Sequence, residues 1–422
     1  MSTLSYSMIG IYTSGTKLTE ADLQAVNPDP HKNVGIKWVI KRNRKSPRCS
    51  ALTANFLRET CQQLPIMSQS NTNTGLYADE HAIFRVRRDL QFPVPEEGEL
   101  LIETVFSGAN PADVKHATFL GIYPAVLGYD FCGKVLQAPP QSSFSPGDTV
   151  AGYTPTGLNR PAGYGTHQQY LVCPEDMVFH VPANLPPHHA ACLSVVTMTA
   201  ADTLYSIFKF PLPGTKDIEK TGKPVLIWGA SSSVGLCAVQ LARASGIYPI
   251  FVTASPQRHP LLLELGATQC FDYRSPDVVS QIKSALEQGQ WNSIDYAFDT
   301  VGSYGGTGSA QLMAECVSEE ACLVSVVVQR DPKFKMPIAT PNRDCTIRVH
   351  GAPRPITIPA RPSDYVRAWQ ALQWAVTNYG AGFQFPSVDV VSGTAENALE
   401  QVQAVGDGAR GFGKLALEHP LL

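Results

Sequence analysis

The sequence predicts an α/β protein in which a parallel-sheet domain is joined to a β-rich domain, and three observations carry that expectation. Between Pro224 and Val327 short apolar strands alternate with helical segments, the order that gives βαβ units and a parallel sheet. The first strand of that run leads into Gly229-Ala230-Ser231-Ser232-Ser233-Val234-Gly235, a glycine-bounded turn that opens directly into a helix. Before residue 190 the chain instead has short β-branched stretches separated by Gly and Pro, the pattern of a β-rich unit.

Taken in order, residues 1–75 differ from the rest. Residues 32–58 are basic with no acid among them, and a polar tract runs over 68–74. Neither has a sustained apolar period, so this region is expected to be a disordered or loosely attached extension. The basic stretch lies far from Met1 and follows Glu20 and Asp22, which argues against a targeting segment. Met67 precedes the organised sequence, and residues 1–66 are expected to be dispensable, the product of a mis-assigned start.

Residues 76–190 carry expected strands at 100–105 and 126–135, the latter bent at its glycines, and a turn into a strand at 145–150. Residues 191–345 hold expected strands at 224–229, 248–254, 270–273, 294–299 and 322–327, with helices at 233–244, 260–265 and 278–286. Residues 346–422 add a helix at 363–376 and a closing strand at 413–417.

Composition narrows the function. The 422 residues carry a formal charge of −3, which gives no general attraction to nucleic acid or to an anionic membrane. Ten cysteines form no CxxC pair and read as the reduced thiols of a cytoplasmic protein. No apolar run reaches transmembrane length. His188-His189 is no metal pair, because adjacent side chains on a helix do not converge.

The chemistry is concentrated in two segments. The turn from Gly229 to Gly235, with Ser231, Ser232, Ser233 and Val234 between, can aim backbone amides and a helix N-terminus at a pyrophosphate. It departs from GxGxxG, with Ala230-Ser231 where the middle glycine stands and hydroxyl donors in compensation. The second strand of the run ends in Ser255-Pro256-Gln257-Arg258 with no acid. An NAD site places Asp or Glu there for the ribose 2′-hydroxyl. Ser255 and Arg258 instead suit a 2′-phosphate, so NADPH is the expected cofactor. Tyr273, which closes the third strand, is placed to flank the same pocket.

From about Leu76 onward the chain resembles the medium-chain dehydrogenase/reductase superfamily, in its zinc-free, quinone-oxidoreductase-like branch. The residues that carry this are Asn110-Pro111-Ala112-Asp113-Val114-Lys115, Leu127-Gly128-Tyr129-Asp130-Phe131-Cys132-Gly133, the turn from Ala230 to Gly235, and Gly413-Lys414-Leu415. Tyr129-Asp130 stands where zinc members have His-Glu, and the four-cysteine lobe is missing, so no metal is expected. The Ala-Ser-Ser-Ser loop, the Ser-Pro-Gln-Arg turn and Cys270-Phe271-Asp272-Tyr273-Arg274 resemble the trans-acting enoyl reductases of fungal polyketide pathways.

The resemblance implies a discontinuous GroES-like domain around a Rossmann domain. It also implies NADPH-dependent reduction of an α,β-unsaturated thioester held on the acyl-carrier domain of a polyketide synthase or hybrid polyketide-peptide megasynthase. It places Ala112, Asp113, Val114 and Lys115 beside the cofactor and adds Val326, Val327 and Lys414 to its contacts. Lys115, Thr199 and Tyr123 are its catalytic candidates. The helix taken to begin at Thr199 supplies the substrate candidates Thr199, Ala200, Ala201, Asp202, Thr203, Leu204, Tyr205 and Ser206, joined by Arg348 on the outer wall. Arg348 and His350 interrupt the apolar segment 346–351, which blunts pairing with a twin, so a monomer is expected. A stand-alone quinone or small-enone reductase and a non-catalytic NADPH-binding protein remain open as alternatives.

Overall fold

The computed structural model describes residues 73–422 apart from 216–221, 304–307 and 340–341, together with four short strands in the first forty residues. Strand β1 (Tyr12–Thr13) pairs with β2 (Thr16–Lys17), and β3 (Leu23–Ala25) with β4 (Trp38–Ile40), both antiparallel. The rest of the expected extension before Asn73 lies outside the described residues. The chain divides into two compact units, Met1–Ser70 and Asn71–Leu422; everything below concerns the second.

Ordered structure begins earlier than expected, with β5 at Asn73–Ala78. Asn73 is buried, and its amide donates to Gln168 Oε1 at 2.9 Å and accepts from the Tyr170 N–H at 3.2 Å. A satisfied buried amide anchors a strand end, so residues 73–75 belong to the fold and not to the extension. Strands β6 (Phe84–Leu90) and β8 (Ala125–Val126) flank β5 in a three-stranded sheet.

The larger antiparallel sheet is built on β7 (Glu99–Ala109), with β9 (Asp130–Gln137), β10 (Thr149–Tyr153) and β12 (Val178–His180) to one side. Strand β11 (Tyr170–Pro174) pairs with the first half of β7. The expected strand at 126–135 is split between β8 and β9 at Gly128, whose φ is +92°. A side chain there would also meet Thr166 Oγ1 at 2.4 Å. The C-terminal strand β22 (Lys414–Glu418) pairs with the second half of β7, and β21 (Val388–Val391) joins β22 in parallel. The end of the chain thus completes the sheet that its first half began.

Between these halves lies a six-stranded parallel sheet in the order β15 (Gln269–Asp272), β14 (Ile250–Ala254), β13 (Val225–Trp228), β16 (Tyr296–Asp299), β17 (Cys322–Ser325) and β18 (Phe334–Lys335). All four residues of β13 are buried, as a central parallel strand covered on both faces requires. Helices α4 (Ser233–Ala244), α5 (His259–Leu265), α6 (Val278–Gln288) and α7 (Ser309–Glu315) connect the strands. In α6, Val278, Ile282, Ala285 and Leu286 form the buried face at helical spacing. Burying Ile282 and Leu286 contributes about 1.5–3 kcal/mol each, which is what seats this otherwise polar helix.

Three further elements matter for the site. Helix α1 (Pro111–Leu120) follows β7. After the short helix α2 (Pro187–Ala190), helix α3 (Ser194–Ala201) continues as a π-helical stretch, Asp202–Ile207. A hairpin of β19 (Cys345–Ile347) and β20 (Ile356–Ile358) lies against α1, through Arg348 N–H to Leu120 O at 2.9 Å and His350 N–H to Phe119 O at 2.7 Å.

Candidate functional site

At the C-terminal ends of β13 and β16 the connections leave the sheet in opposite directions, the position at which open α/β sheets bind ligands. A cavity of about 590 Å³ opens there. One wall comes from the parallel sheet: residues 231–234, Thr300, Val301 and 326–328. The other comes from α1 (Ala112, Lys115, His116, Phe119), from Tyr129, Tyr153 and Thr156, from Val195 and Thr199, and from Cys345 and Ile347 of the hairpin. Residues 411–414 close one end.

The loop after β13 is shaped by close approach. Gly229 has φ +79°, and a Cβ on it would stand 2.2 Å from Val301 Cγ2. A Cβ on Gly235 would stand 2.6 Å from Ala230 Cα. Both glycines serve backbone packing and neither lines the cavity. Ser232 caps α4, accepting from Gly235 N–H at 3.0 Å and donating to Thr300 Oγ1 at 2.9 Å. Its hydroxyl is therefore occupied, unlike the free donor expected from the sequence. Ser231 and Ser233 line the cavity, and among the described residues their hydroxyls have no protein partner. Two free hydroxyls and the N-terminus of a twelve-residue helix form a cradle for an anionic group, and the positions fit a dinucleotide pyrophosphate.

Beyond this wall, Ser255 precedes the single 3₁₀ turn Pro256–Arg258 at the end of β14. The Arg258 guanidinium lies 3.9 Å from the ring centre of Phe412, a cavity-lining residue. Arg258 has no carboxylate partner among the described residues. Pro256 and Gln257 are exposed, and Tyr273 is 46% exposed at the end of β15.

Helical geometry sorts the α1 candidates. Ala112 and Lys115 face the cavity, and the Lys115 ammonium has no carboxylate within ion-pair distance among the described residues. Asp113 and Val114 point the other way. The Asp113 carboxylate accepts from Asn110 N–H at 2.7 Å and lies 3.1 Å from His167 Nε2, and Val114 packs against Gly406. Neither reaches a ligand in the cavity, because residues two and one before Lys115 sit on the core face.

Several other expectations are corrected. Thr199 lines the cavity, but it lies within α3 and does not begin it, and its hydroxyl donates to Val195 O at 2.7 Å. It offers a ligand an acceptor only. Ala200, Ala201, Asp202, Thr203, Leu204, Tyr205 and Ser206 are buried and leave the cavity to Thr199. Asp202 is held by Arg361 at 2.8 Å and Ile338 N–H at 2.8 Å, and Tyr205 OH by Ser245 at 3.0 Å. Lys414 is buried, with its ammonium donated to Ala109 O at 2.9 Å and Asn110 Oδ1 at 2.7 Å. It clamps β22 to β7 and does not reach out to phosphate. Tyr123 is 42% exposed and off the cavity, since the chain leaves α1 through Gly121 at φ +69°. Arg348 is exposed because strand alternation turns Cys345 and Ile347 inward. Val326 and Val327 do line the cavity.

The sequence reading missed a polar cluster on the same wall. Tyr129 OH lies 2.9 Å from His116 Nδ1 and 3.1 Å from Thr156 Oγ1. Burial holds the His116 imidazole down to about 4, so it is neutral at pH 7. Burial also pushes the Tyr129 phenol up. Beneath the Tyr129 ring, 4.2 Å from its centre, sits the buried Arg160 guanidinium, which donates to Pro155 O, Val126 O, Gly128 O and Tyr164 O. His116 was findable, since it is one turn beyond Ala112 on the helix face that holds Lys115. Deeper still, burial raises the Asp130 carboxyl to about 6, and Asn110 Nδ2 at 2.9 Å and Val195 N–H at 2.8 Å occupy it.

Fold and cavity together define a dinucleotide-binding α/β protein with a β-rich partner domain. Residues 96–183 match the alcohol dehydrogenase GroES-like domain, and residues 233–350 match the zinc-binding dehydrogenase family. The chain is 37% identical over 209 residues to the trans-enoyl reductase himH of Aspergillus japonicus, covering 49% of this chain and 59% of that protein. It is 34% identical over 205 residues to the trans-enoyl reductase tazE of Aspergillus terreus, covering 46% of this chain and 67% of that protein. The quinone oxidoreductase of Coxiella burnetii has a similar fold, with a TM-score of 0.57 and 19% identity over 83% of this chain and all of that one. The chain belongs to the medium-chain dehydrogenase/reductase family, with quinone-oxidoreductase-like structural neighbours and trans-enoyl reductase relatives. The matched segment spans about three fifths of the himH protein.

The name of the second matched family carries zinc, and the donor set here does not fit it. Among the described residues no three His, Cys, Asp or Glu side chains converge on one point. Asp130 is spent on Asn110 and Val195, and its neighbour in the cavity is the neutral phenol of Tyr129.

Proposed function

We propose that the chain uses NADPH to reduce the α,β-double bond of an enoyl thioester, presented on the acyl-carrier domain of a polyketide or hybrid polyketide-peptide synthase. One observation carries this reading. A single cavity of about 590 Å³ joins the serine-lined helix N-terminus to a largely apolar wall (Phe119, Val195, Ile347, Val328) and to Lys115, whose ammonium has neither a carboxylate nor another hydrogen-bond partner among the described residues. When bound, the nicotinamide supplies a hydride to the β-carbon. Ser231, Ser233 and the first amides of α4 hold the pyrophosphate. Ser255 and Arg258 are assigned to the 2′-phosphate, with Phe412 keeping the guanidinium in place. Lys115 holds ribose or thioester oxygen, where its charge favours developing enolate. The apolar wall takes the acyl chain and excludes water.

Phe119, Val301 and Val328, each at least 40% exposed, rim the cavity and leave room for a tethered substrate. The hairpin that carries Arg348 has both strands paired with each other and its loop bonded to α1, which supports a monomer. Among the described residues no helix is long and apolar enough to cross a membrane. The test is NADPH oxidation with an enoyl pantetheine thioester against the same assay with a simple quinone. Turnover of the thioester in preference to the quinone is expected. Preference for the quinone assigns the chain to the stand-alone reductases, and no turnover of either assigns it to cofactor binding without catalysis.

A further inference from the structure

Reducing an enoyl thioester requires a proton at the α-carbon as well as a hydride at the β-carbon. Thr199 donates its aliphatic hydroxyl to the backbone oxygen of Val195 on its own helix, and Tyr123 is off the cavity. Two tyrosines line the cavity wall: Tyr153 gives its O–H to the backbone oxygen of Ala339 at 2.6 Å, and the Tyr129 phenol is held by side chains alone. Tyr129 OH sits between His116 Nδ1 at 2.9 Å and Thr156 Oγ1 at 3.1 Å, and all three side chains line the cavity with Lys115 and Thr199.

Resting on the enoyl-reductase reading, we propose that Tyr129 is the proton donor to the α-carbon, with Thr156 returning the proton and His116 orienting the phenol. A C–H bond forms at the β-carbon from the hydride, and the alkene π pair moves onto the thioester as an enolate. A second C–H bond then forms at the α-carbon as the Tyr129 O–H bond breaks. Thr156 passes a proton to the phenolate and regains one from cavity water. The sum is one hydride from reduced nicotinamide dinucleotide and one proton from water added across the double bond.

Two features of the surroundings fit this role. The His116 imidazole is neutral, so it accepts a hydrogen bond without competing as the acid. In the Nε2–H tautomer His116 Nδ1 is an acceptor, and Thr156 Oγ1, 3.1 Å from Tyr129 OH and 3.3 Å from His116 Nδ1, is within reach to donate to the phenolic oxygen, the direction that recharges it. The Arg160 cation lies 4.2 Å from the centre of the Tyr129 ring and has no carboxylate partner among the described residues. Its positive charge lies against the face of the ring whose phenolate forms, and a buried charge of that sign favours the transfer. The phenol is more acidic than the α-carbon of a thioester, so the proton moves downhill.

The experiment uses the whole chain with an α-methyl enoyl pantetheine thioester, whose product has a stereocentre at the α-carbon. For Tyr129→Phe the expected result is unchanged NADPH binding, turnover lower by about 10²–10⁴-fold, and product with both α-configurations, against one from the unaltered chain. Full turnover with one configuration overturns the proposal while leaving the enoyl-reductase reading intact. If the unaltered chain oxidises NADPH with quinone and leaves the thioester unreduced, that reading fails and the proposal falls with it. Should Tyr129→Phe lose NADPH binding, Thr156→Val decides. It keeps the donor and removes its recharging, so slower turnover with a single configuration supports the proposal, and unchanged turnover overturns it.

Discussion

Replacing Gly235 by alanine tests whether the loop after β13 is built for close backbone approach. The new Cβ would stand 2.6 Å from Ala230 Cα, 2.8 Å from Ala230 C and 2.8 Å from Gly229 O. All three are backbone atoms, so no side chain can swing aside. Alanine in a helix gains about 0.5–1 kcal/mol over glycine. Overpacking costs about 1–3 kcal/mol, and a contact with backbone atoms under 3.0 Å lies at the upper end of it, so the net destabilisation is about 2 kcal/mol. Relief requires the start of α4 to lift from β13, which moves the amides and hydroxyls of residues 231–233. A shift worth about 1.4 kcal/mol in binding is tenfold in Kd. Urea unfolding without ligand and calorimetric titration with NADPH read the two effects. A Gly235→Ala chain as stable as the original, with the same NADPH affinity, refutes the reasoning.

Two further outcomes follow from the same geometry. Arg258→Ala is expected to weaken NADPH roughly 10- to 150-fold, the worth of a charge-assisted contact of about 1.5–3 kcal/mol, and to leave NADH nearly unchanged. Equal losses for both cofactors, read by fluorescence titration, remove Arg258 from the 2′-phosphate. Stability is expected to fall as pH drops below the ordinary histidine value. Burial holds His116 and His189 down to about 4 and His419 down to about 3, so between 6.5 and 4 the unfolded chain binds protons that the folded chain does not. Asp130, raised to about 6, acts in the opposite sense and offsets one of the three. The thermal midpoint should therefore be lower at about pH 5 than at about pH 7.5, and an equal or higher midpoint contradicts it.

The parallel sheet was legible because its signals are local. The expected helix at 233–244 coincides with α4, and the strands at 224–229 and 248–254 fall within two residues of β13 and β14. Apolar runs punctuated by glycine carry that information without tertiary context. The site was legible where it depends on a turn, at Ser231 and Ser233, and less so where it depends on a face. Nothing in the order Ala112-Asp113-Val114-Lys115 says which residues look inward until the segment is known to be a helix. The same gap put Asp113 and Val114 at the cofactor and overlooked His116. The run 200–206 failed for a different reason. Its polar residues mark no exposed face, because the π-helical stretch Asp202–Ile207 buries them, Asp202 against Arg361 and Tyr205 against Ser245. Lys414 reads as a strand-end cation, and only the register of β22 on β7 shows that its ammonium is consumed by Ala109 and Asn110.

The central claim is hydride transfer from NADPH to the β-carbon of an enoyl thioester. It is tested most directly by turning over a crotonyl pantetheine thioester with NADPH deuterated at the transferable C4 position and locating the label by mass spectrometry and NMR. The account predicts a saturated butanoyl thioester with one deuterium, at the β-carbon. An unreduced thioester, or a saturated product whose deuterium is absent from the β-carbon, contradicts it.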